Sequence, residues 1–207
     1  TYLVDNGGNV NAKYRDGDTL LQIACQDKNN LEIVTYLVDN GAVVNSKNNY
    51  GDTPLTDACS YGSLEIVKYL VEKGADVNPQ DDDGATLLHK VCFSNKHALE
   101  IVKYLVEKKK ADVNSQDKLG NTPLHYALHN SFHNSIQKNP IQLVKYLVDK
   151  GADGNAKDKD NKTPLDLARQ KGHTQIVAFF TIIKRGGGKF RKNKNKPWID
   201  DSIFFTK

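Results

Sequence analysis

Leu64-Glu65-Ile66-Val67-Lys68-Tyr69-Leu70-Val71-Glu72-Lys73-Gly74-Ala75-Asp76-Val77-Asn78 decides the fold, because the chain repeats it. Close copies occupy residues 31–45, 99–114 (with one extra residue) and 141–155. Leu64, Val67, Leu70 and Val71 stand at i, i+3, i+6 and i+7, an apolar stripe of helical period. Gly74 follows, at the point where a helix ends in the left-handed conformation. A second block precedes each copy: G-D-T-P-L at 51–55, G-A-T-L-L-H at 84–89, G-N-T-P-L-H at 120–125 and N-K-T-P-L at 161–165. Threonine caps a helix, and proline suits its first position, where a missing N–H costs nothing. The marker threonines Thr19, Thr53, Thr86, Thr122 and Thr163 are spaced by 34, 33, 36 and 41 residues. A unit of 33 residues with insertions predicts a stacked array of two-helix units, because neither helix buries its stripe alone.

On Thr122-Pro123-Leu124-His125 and Gly74-Ala75-Asp76-Val77-Asn78 the sequence resembles the ankyrin repeat family. The resemblance runs to about residue 185. It implies an all-α solenoid of helix–turn–helix units with projecting β-hairpin loops, and a concave face built from loop tips and first helices. The expected organisation is a partial unit at 1–13, then units at about 14–47, 48–80, 81–116, 117–157 and 158–185. Residues 186–207 form a basic, aromatic tail. Residues 1–13 nearly copy residues 35–47, and no methionine occurs in the chain. The expectation is a parent protein with further repeats before Thr1.

The 207 residues are 38% hydrophobic and 26% charged, the balance of a globular chain. Mean hydropathy is −0.59, and no apolar run nears the ~18 residues that span a bilayer. The net charge of +4 is unevenly spread. Residues 184–207 hold eight basic and two acidic groups, a net +6; the other 183 hold 21 basic and 23 acidic, a net −2. The basic run 184–196 reads as a solvated linker, as a nuclear-import-type or acidic-surface patch, or as a nucleic-acid contact. The acidic repeat body argues against the last. The apolar last helix (Ile176, Val177, Phe179, Phe180, Ile182, Ile183) lacks the polar outer face of a terminal unit. The tail, with Trp198, Ile199, Ile203, Phe204 and Phe205, either folds back over it or stays disordered.

Candidate chemistry is sparse. Cys25, Cys59 and Cys92 fall on the buried side of successive first helices, as small hydrophobes. Stacked helices ~8–10 Å apart leave them unbridged, which fits a reducing, cytoplasmic or nuclear setting. His125, His129 and His133 share helical spacing, but no nearby Cys or carboxylate completes a zinc shell. The resemblance implies that His125, like His89, is structural. No phosphate loop, dinucleotide fingerprint or nucleophile elbow occurs, so neither catalysis nor a cofactor or metal is expected.

The expected function is recognition of a protein partner by a monomer. Matching the family's contact positions gives Asp16, Asp18, Tyr50, Asp52, Asp82, Asp83, Lys118, Leu119 and Asn121 at loop tips. The first helices add Ser60, Tyr61, Phe93, His129, Asn130 and Arg169. Tyr50, Tyr61, Phe93 and Leu119 are either interface anchors or packing against neighbouring units. The insertion around residues 129–140 is either drift in a surface loop or a partner contact. The alternatives are an adaptor working through the tail, nuclear or nucleic-acid-associated, and a regulatory segment of a larger enzyme or channel.

Overall fold

The computed structural model describes residues 6–61, 63–94, 98–129 and 140–185. Among these residues ten α-helices form five pairs: α1 (Leu20–Cys25) with α2 (Leu31–Asp39), α3 (Pro54–Tyr61) with α4 (Leu64–Glu72), α5 (Leu87–Ser94) with α6 (Ala98–Lys109), α7 (Pro123–His129) with α8 (Ile141–Asp149), and α9 (Pro164–Gln170) with α10 (Thr174–Arg185). Each first helix packs on the next first helix, and each second helix on the next second helix. One apolar cluster runs through all five pairs, with Leu21, Leu55, Leu70, Leu105, Leu124 and Leu147 fully buried in it. Fully burying such a side chain stabilises by about 1.5–3 kcal/mol before ordering costs. Short helices of 6–12 residues persist here through this stacking.

The Thr markers start the first helices as their chemistry requires. Thr19 and Thr163 sit in reciprocal capping boxes with Gln22 and Asp166. Thr53 accepts from the Thr56 N–H at 3.3 Å. At Thr86 and Thr122 the reciprocal partner is imidazole: His89 and His125 Nδ1 accept from the Thr N–H groups at 3.0 and 3.1 Å. Gly74 ends its helix at φ +90°, as expected. In the third unit Lys110 takes the left-handed conformation instead (φ +57°), a strained choice for a side-chain-bearing residue.

The projecting loops are smaller than a hairpin of strands. Among the described residues the bridges are single, Lys13 with Thr19 and Gln80 with Thr86. Backbone bonds from Tyr14, Asn48, Asp81, Asp117 and Asp158 to the residue four positions on close each loop at 2.8–3.1 Å. Side chains then take the remaining N–H groups. Asn48, Asp81, Asp117 and Asp158 Oδ1 each accept two of them, which leaves little for a strand partner.

Cys25, Cys59 and Cys92 are buried free thiols, where the stripe placed them. Burial pushes their pKa values up, so they stay protonated and unreactive. In α10, Ile176, Phe179, Phe180 and Ile183 are buried and Ile182 is exposed. The expectations for residues 1–5, for most of the insertion (130–139, including Asn130 and His133) and for the tail at 186–207 fall outside the described residues.

Candidate recognition surface

Loops and first helices line one side of the stack, and the expected contact residues divide there by what they bond. Tyr50, Tyr61, Phe93 and Leu119 keep 60%, 53%, 48% and 61% of their surface exposed. Phe93 packs on a neighbouring unit, as one of its two expected roles requires, and stays accessible. It remains half exposed while its ring meets Tyr126 edge-on at 6.0 Å, across the third and fourth units. Asp16, Asp82 and Asp83 are exposed tips whose carbonyls accept from the next loop: Asp16 O from Asn49 N at 2.8 Å, Asp82 O from Lys118 Nζ at 2.6 Å, and Asp83 O from Lys118 N at 2.8 Å. Asp18 accepts from Asn48 Nδ2 at 2.8 Å. Arg169 is exposed and pairs loosely with Asp166 at 3.7 Å. Ser60 is half-buried.

Two expected contacts have structural duties. Asn121 points its amide at Asp117, and its carbonyl takes the His89 Nε2 bond at 3.0 Å. Asp52 is held by Lys90, and its carbonyl accepts from Gln22 Nε2 at 3.0 Å. Both are half-buried, because a short side chain at the loop base faces the next unit.

Leu119, Asn121 and His129, chosen separately from the sequence, line one cavity of about 300 Å³ with Lys159, Lys162 and Lys171. Burial, and then the Lys171 ammonium, hold the His129 imidazole below its ordinary pKa. It is therefore neutral at pH 7. His89 and His125 are fully buried and also depressed by burial. His125 spends Nδ1 on Thr122 and Nε2 on the Lys162 carbonyl, at 2.9 and 3.3 Å, so its ring is occupied by the fold.

Sequence reasoning missed the residue four places after each marker threonine: Ile23, Asp57, Lys90, Tyr126 and Leu167. Helical spacing was a sufficient signal, since that position lies three to four residues before the contacts chosen at Ser60, Tyr61 and Phe93. Ile23 is exposed. Lys90 pairs with Asp52 and, at 2.9 Å, with Asp81. Asp57 has a buried Oδ2 without a partner. Its carboxyl is pushed up to about 7 by burial first and by the Asp18 and Asp52 charges next, against the pull of the Gln22 and Gln26 amides.

A solenoid of stacked two-helix units with a loop-rimmed polar face is the architecture of repeat-type recognition scaffolds. A profile of ankyrin repeats in three copies matches residues 1–81 and 74–138, and one of many copies matches residues 132–181. The chain belongs to the ankyrin repeat family. Ankyrin repeats are protein–protein interaction modules without catalytic chemistry of their own. Among the similar proteins, the alpha-latrocrustotoxin-Lt1a of Latrodectus tredecimguttatus is 46% identical over 77 residues, 37% of this chain and 5% of the toxin. The potassium channel AKT1 of Arabidopsis thaliana is 44% identical over 50 residues, 24% of this chain and 6% of the channel. The putative ankyrin repeat protein FPV223 of Fowlpox virus is 33% identical over 119 residues, 46% of this chain and 82% of that protein. The chain thus spans about a twentieth of the toxin and channel relatives. Among the described residues no helix is long and apolar enough to cross a membrane.

Proposed function

We propose that the chain recognises a protein partner along its loop-and-first-helix face, as a monomer and without covalent chemistry. The observation that carries this is the run of exposed large apolar side chains on that face in the second, third and fourth units: Tyr50, Tyr61, Phe93 and Leu119. Aromatic side chains held by a rigid scaffold lose little entropy on binding and anchor interfaces. Charge grades along the face, from Asp16, Asp18, Asp82 and Asp83 to Lys118, Lys159 and Lys162. A partner with a basic end and an acidic end fits it. The surrounding contacts are Asp52, Ser60, Asn121, His129, Asn130 and Arg169. Three buried free thiols suit a reducing compartment, cytoplasmic or nuclear. The test is a Tyr61→Ala, Phe93→Ala double variant that keeps its helical circular dichroism. It is expected to lose at least about tenfold in partner affinity, as two anchors imply. Undiminished affinity sinks the reading.

A second reading rests on the short share of the relatives that the chain covers, 5% of the toxin and 6% of the channel. Here the repeats are the recognition segment of a larger protein. The full reading frame tests this: a start codon immediately before Thr1 together with a stop codon immediately after Lys207 removes it.

A further inference from the structure

Four kinds of polar bond join neighbouring repeats among the described residues, the first two at three of the four junctions and the last two at two; at the junction between the second and third units none of the four forms. The first is the helix-start side chain reaching the next loop's carbonyl. Gln22 reaches Asp52 O at 3.0 Å, His89 reaches Asn121 O at 3.0 Å, and His125 reaches Lys162 O at 3.3 Å. The second joins loop to loop: Asn49 N to Asp16 O, Lys118 N to Asp83 O and Lys159 N to Leu119 O, all at 2.8–2.9 Å. The third is a two-pronged asparagine. Asn45 donates to Gly74 O and accepts from Asp76 N, at 3.0 and 2.9 Å. Asn114 does the same with Gly151 O and Asp153 N, at 2.9 and 2.7 Å. The fourth lies on the second helices: Lys73 on Asp39 at 3.1 Å, and Lys150 and Tyr146 on Glu107 at 3.0 and 3.2 Å.

Between the second and third units, among the described residues, none of these forms. The local causes of two lapses can be read. Thr56 stands where His89 and His125 stand, and its short hydroxyl is used in the Thr53 cap at 3.1 Å. Asn78 faces the unit whose glycine is replaced by the longer Lys108-Lys109-Lys110, so the backbone groups that an asparagine would meet are displaced. The apolar core continues through the junction. Among the described residues a polar tie that does cross it is Lys90, which reaches back to Asp52 while also holding Asp81 of its own unit.

We propose that the junction between the second and third repeats is a hinge inside the recognition face, with the Lys90–Asp52 ion pair as its lock. Tyr50 and Tyr61 lie on one side of it, Phe93 and Leu119 on the other. Opening the pair changes the spacing between the two halves of the aromatic surface, so the lock sets which partner shape fits. That regulatory role rests on the proposed recognition face; the hinge itself does not. A repeat array is close to a chain of nearest-neighbour couplings, so it parts first where the coupling is weakest.

Native-state hydrogen exchange on the free, full chain tests the hinge without any partner. In the unaltered protein, exchange should divide at residue 80, with α1–α4 opening as a block apart from α5–α10. Lys90→Met should speed exchange in α1–α4 by about tenfold or more while α5–α10 change less than about threefold. Thr56→His, which supplies the missing imidazole, should have the opposite effect and erase the division. Uniform exchange across all ten helices, with Lys90→Met acting equally on both blocks, overturns the hinge. If Lys90→Met fails to fold, a Thr56→His protein with an unchanged division overturns it as well. A confirmed hinge with binding indifferent to Tyr61 and Phe93 leaves the hinge standing and defeats only the recognition reading.

Discussion

The second and fourth units start their first helices with the same Thr-Pro-Leu and diverge at the two residues that follow. The fourth has His125-Tyr126, and the second has Thr56-Asp57. His125 bonds within its own unit and forward to the fifth, while Tyr126 donates to Asp117 at 3.0 Å and packs on His89 and Phe93 of the third. Thr56 caps only its own helix, and Asp57 keeps a buried, partnerless oxygen. One unit joins both neighbours; the other gives up the forward bond and holds a carboxylate where it is hard to ionise. The difference shows that two positions of the first helix set how far a unit's polar side chains reach its neighbours. Natural sequences yield stability where a site has another use, and the second unit carries Tyr50 and Tyr61.

Removing the stronger member of the comparison should have the largest effect. His125→Ala opens a cavity and strands the Thr122 and Lys162 groups, and should lower stability by about 3 kcal/mol. Thr56→Ala loses only a cap, at about 1 kcal/mol. Urea unfolding of both variants decides this, and equal losses would erase the contrast. Asp57→Asn acts in the other direction and depends on pH. The folded pKa of Asp57, about 7, lies above the unfolded value of ~3.9. The folded state therefore holds the proton more tightly, and wild-type stability from this group is intact below about pH 4 and lost as pH rises through 7. The variant should match wild type near pH 4 and exceed it by about 2 kcal/mol above pH 8. Thermal melts across that range check it, and a difference constant with pH contradicts it. The smallest effect belongs to Tyr126→Phe. It removes one hydroxyl bond and should lower stability by about 1 kcal/mol without disturbing the ring contacts, because Asp117 also accepts from Leu119 N, Asn121 N and the Asn121 amide; a loss beyond about 2 kcal/mol contradicts this.

The array was readable because its determinants repeat. The Leu-Val stripe, the Thr-Pro start and the glycine stop each recur in register, so period and helix pairing follow from local chemistry. Lys110 could be read as a departure, but its left-handed backbone could not, since propensity resists it in any non-glycine residue. The surface was half legible. Tyr61 and Leu119 were identified by position alone. Asn121 and Asp52 were read as contact residues, but their carbonyls bond residues about 30 positions away, and no local pattern carries that. Lys90 looked like an ordinary solvated helix charge. Its role depends on Asp52 and Asp81 converging from two loops, which only the stacked structure supplies.

Site-specific photo-crosslinking tests the central claim most directly. A benzophenone amino acid is placed at position 61 or 93 of the recognition face, or at exposed Lys68 or Lys103 on the second helices, and irradiated in cells that express the protein. The account predicts one shared protein adduct from positions 61 and 93 and none of that mass from 68 or 103. The same adduct from 68 and 103 alone, or crosslinks to nucleic acid at all four positions, would contradict it.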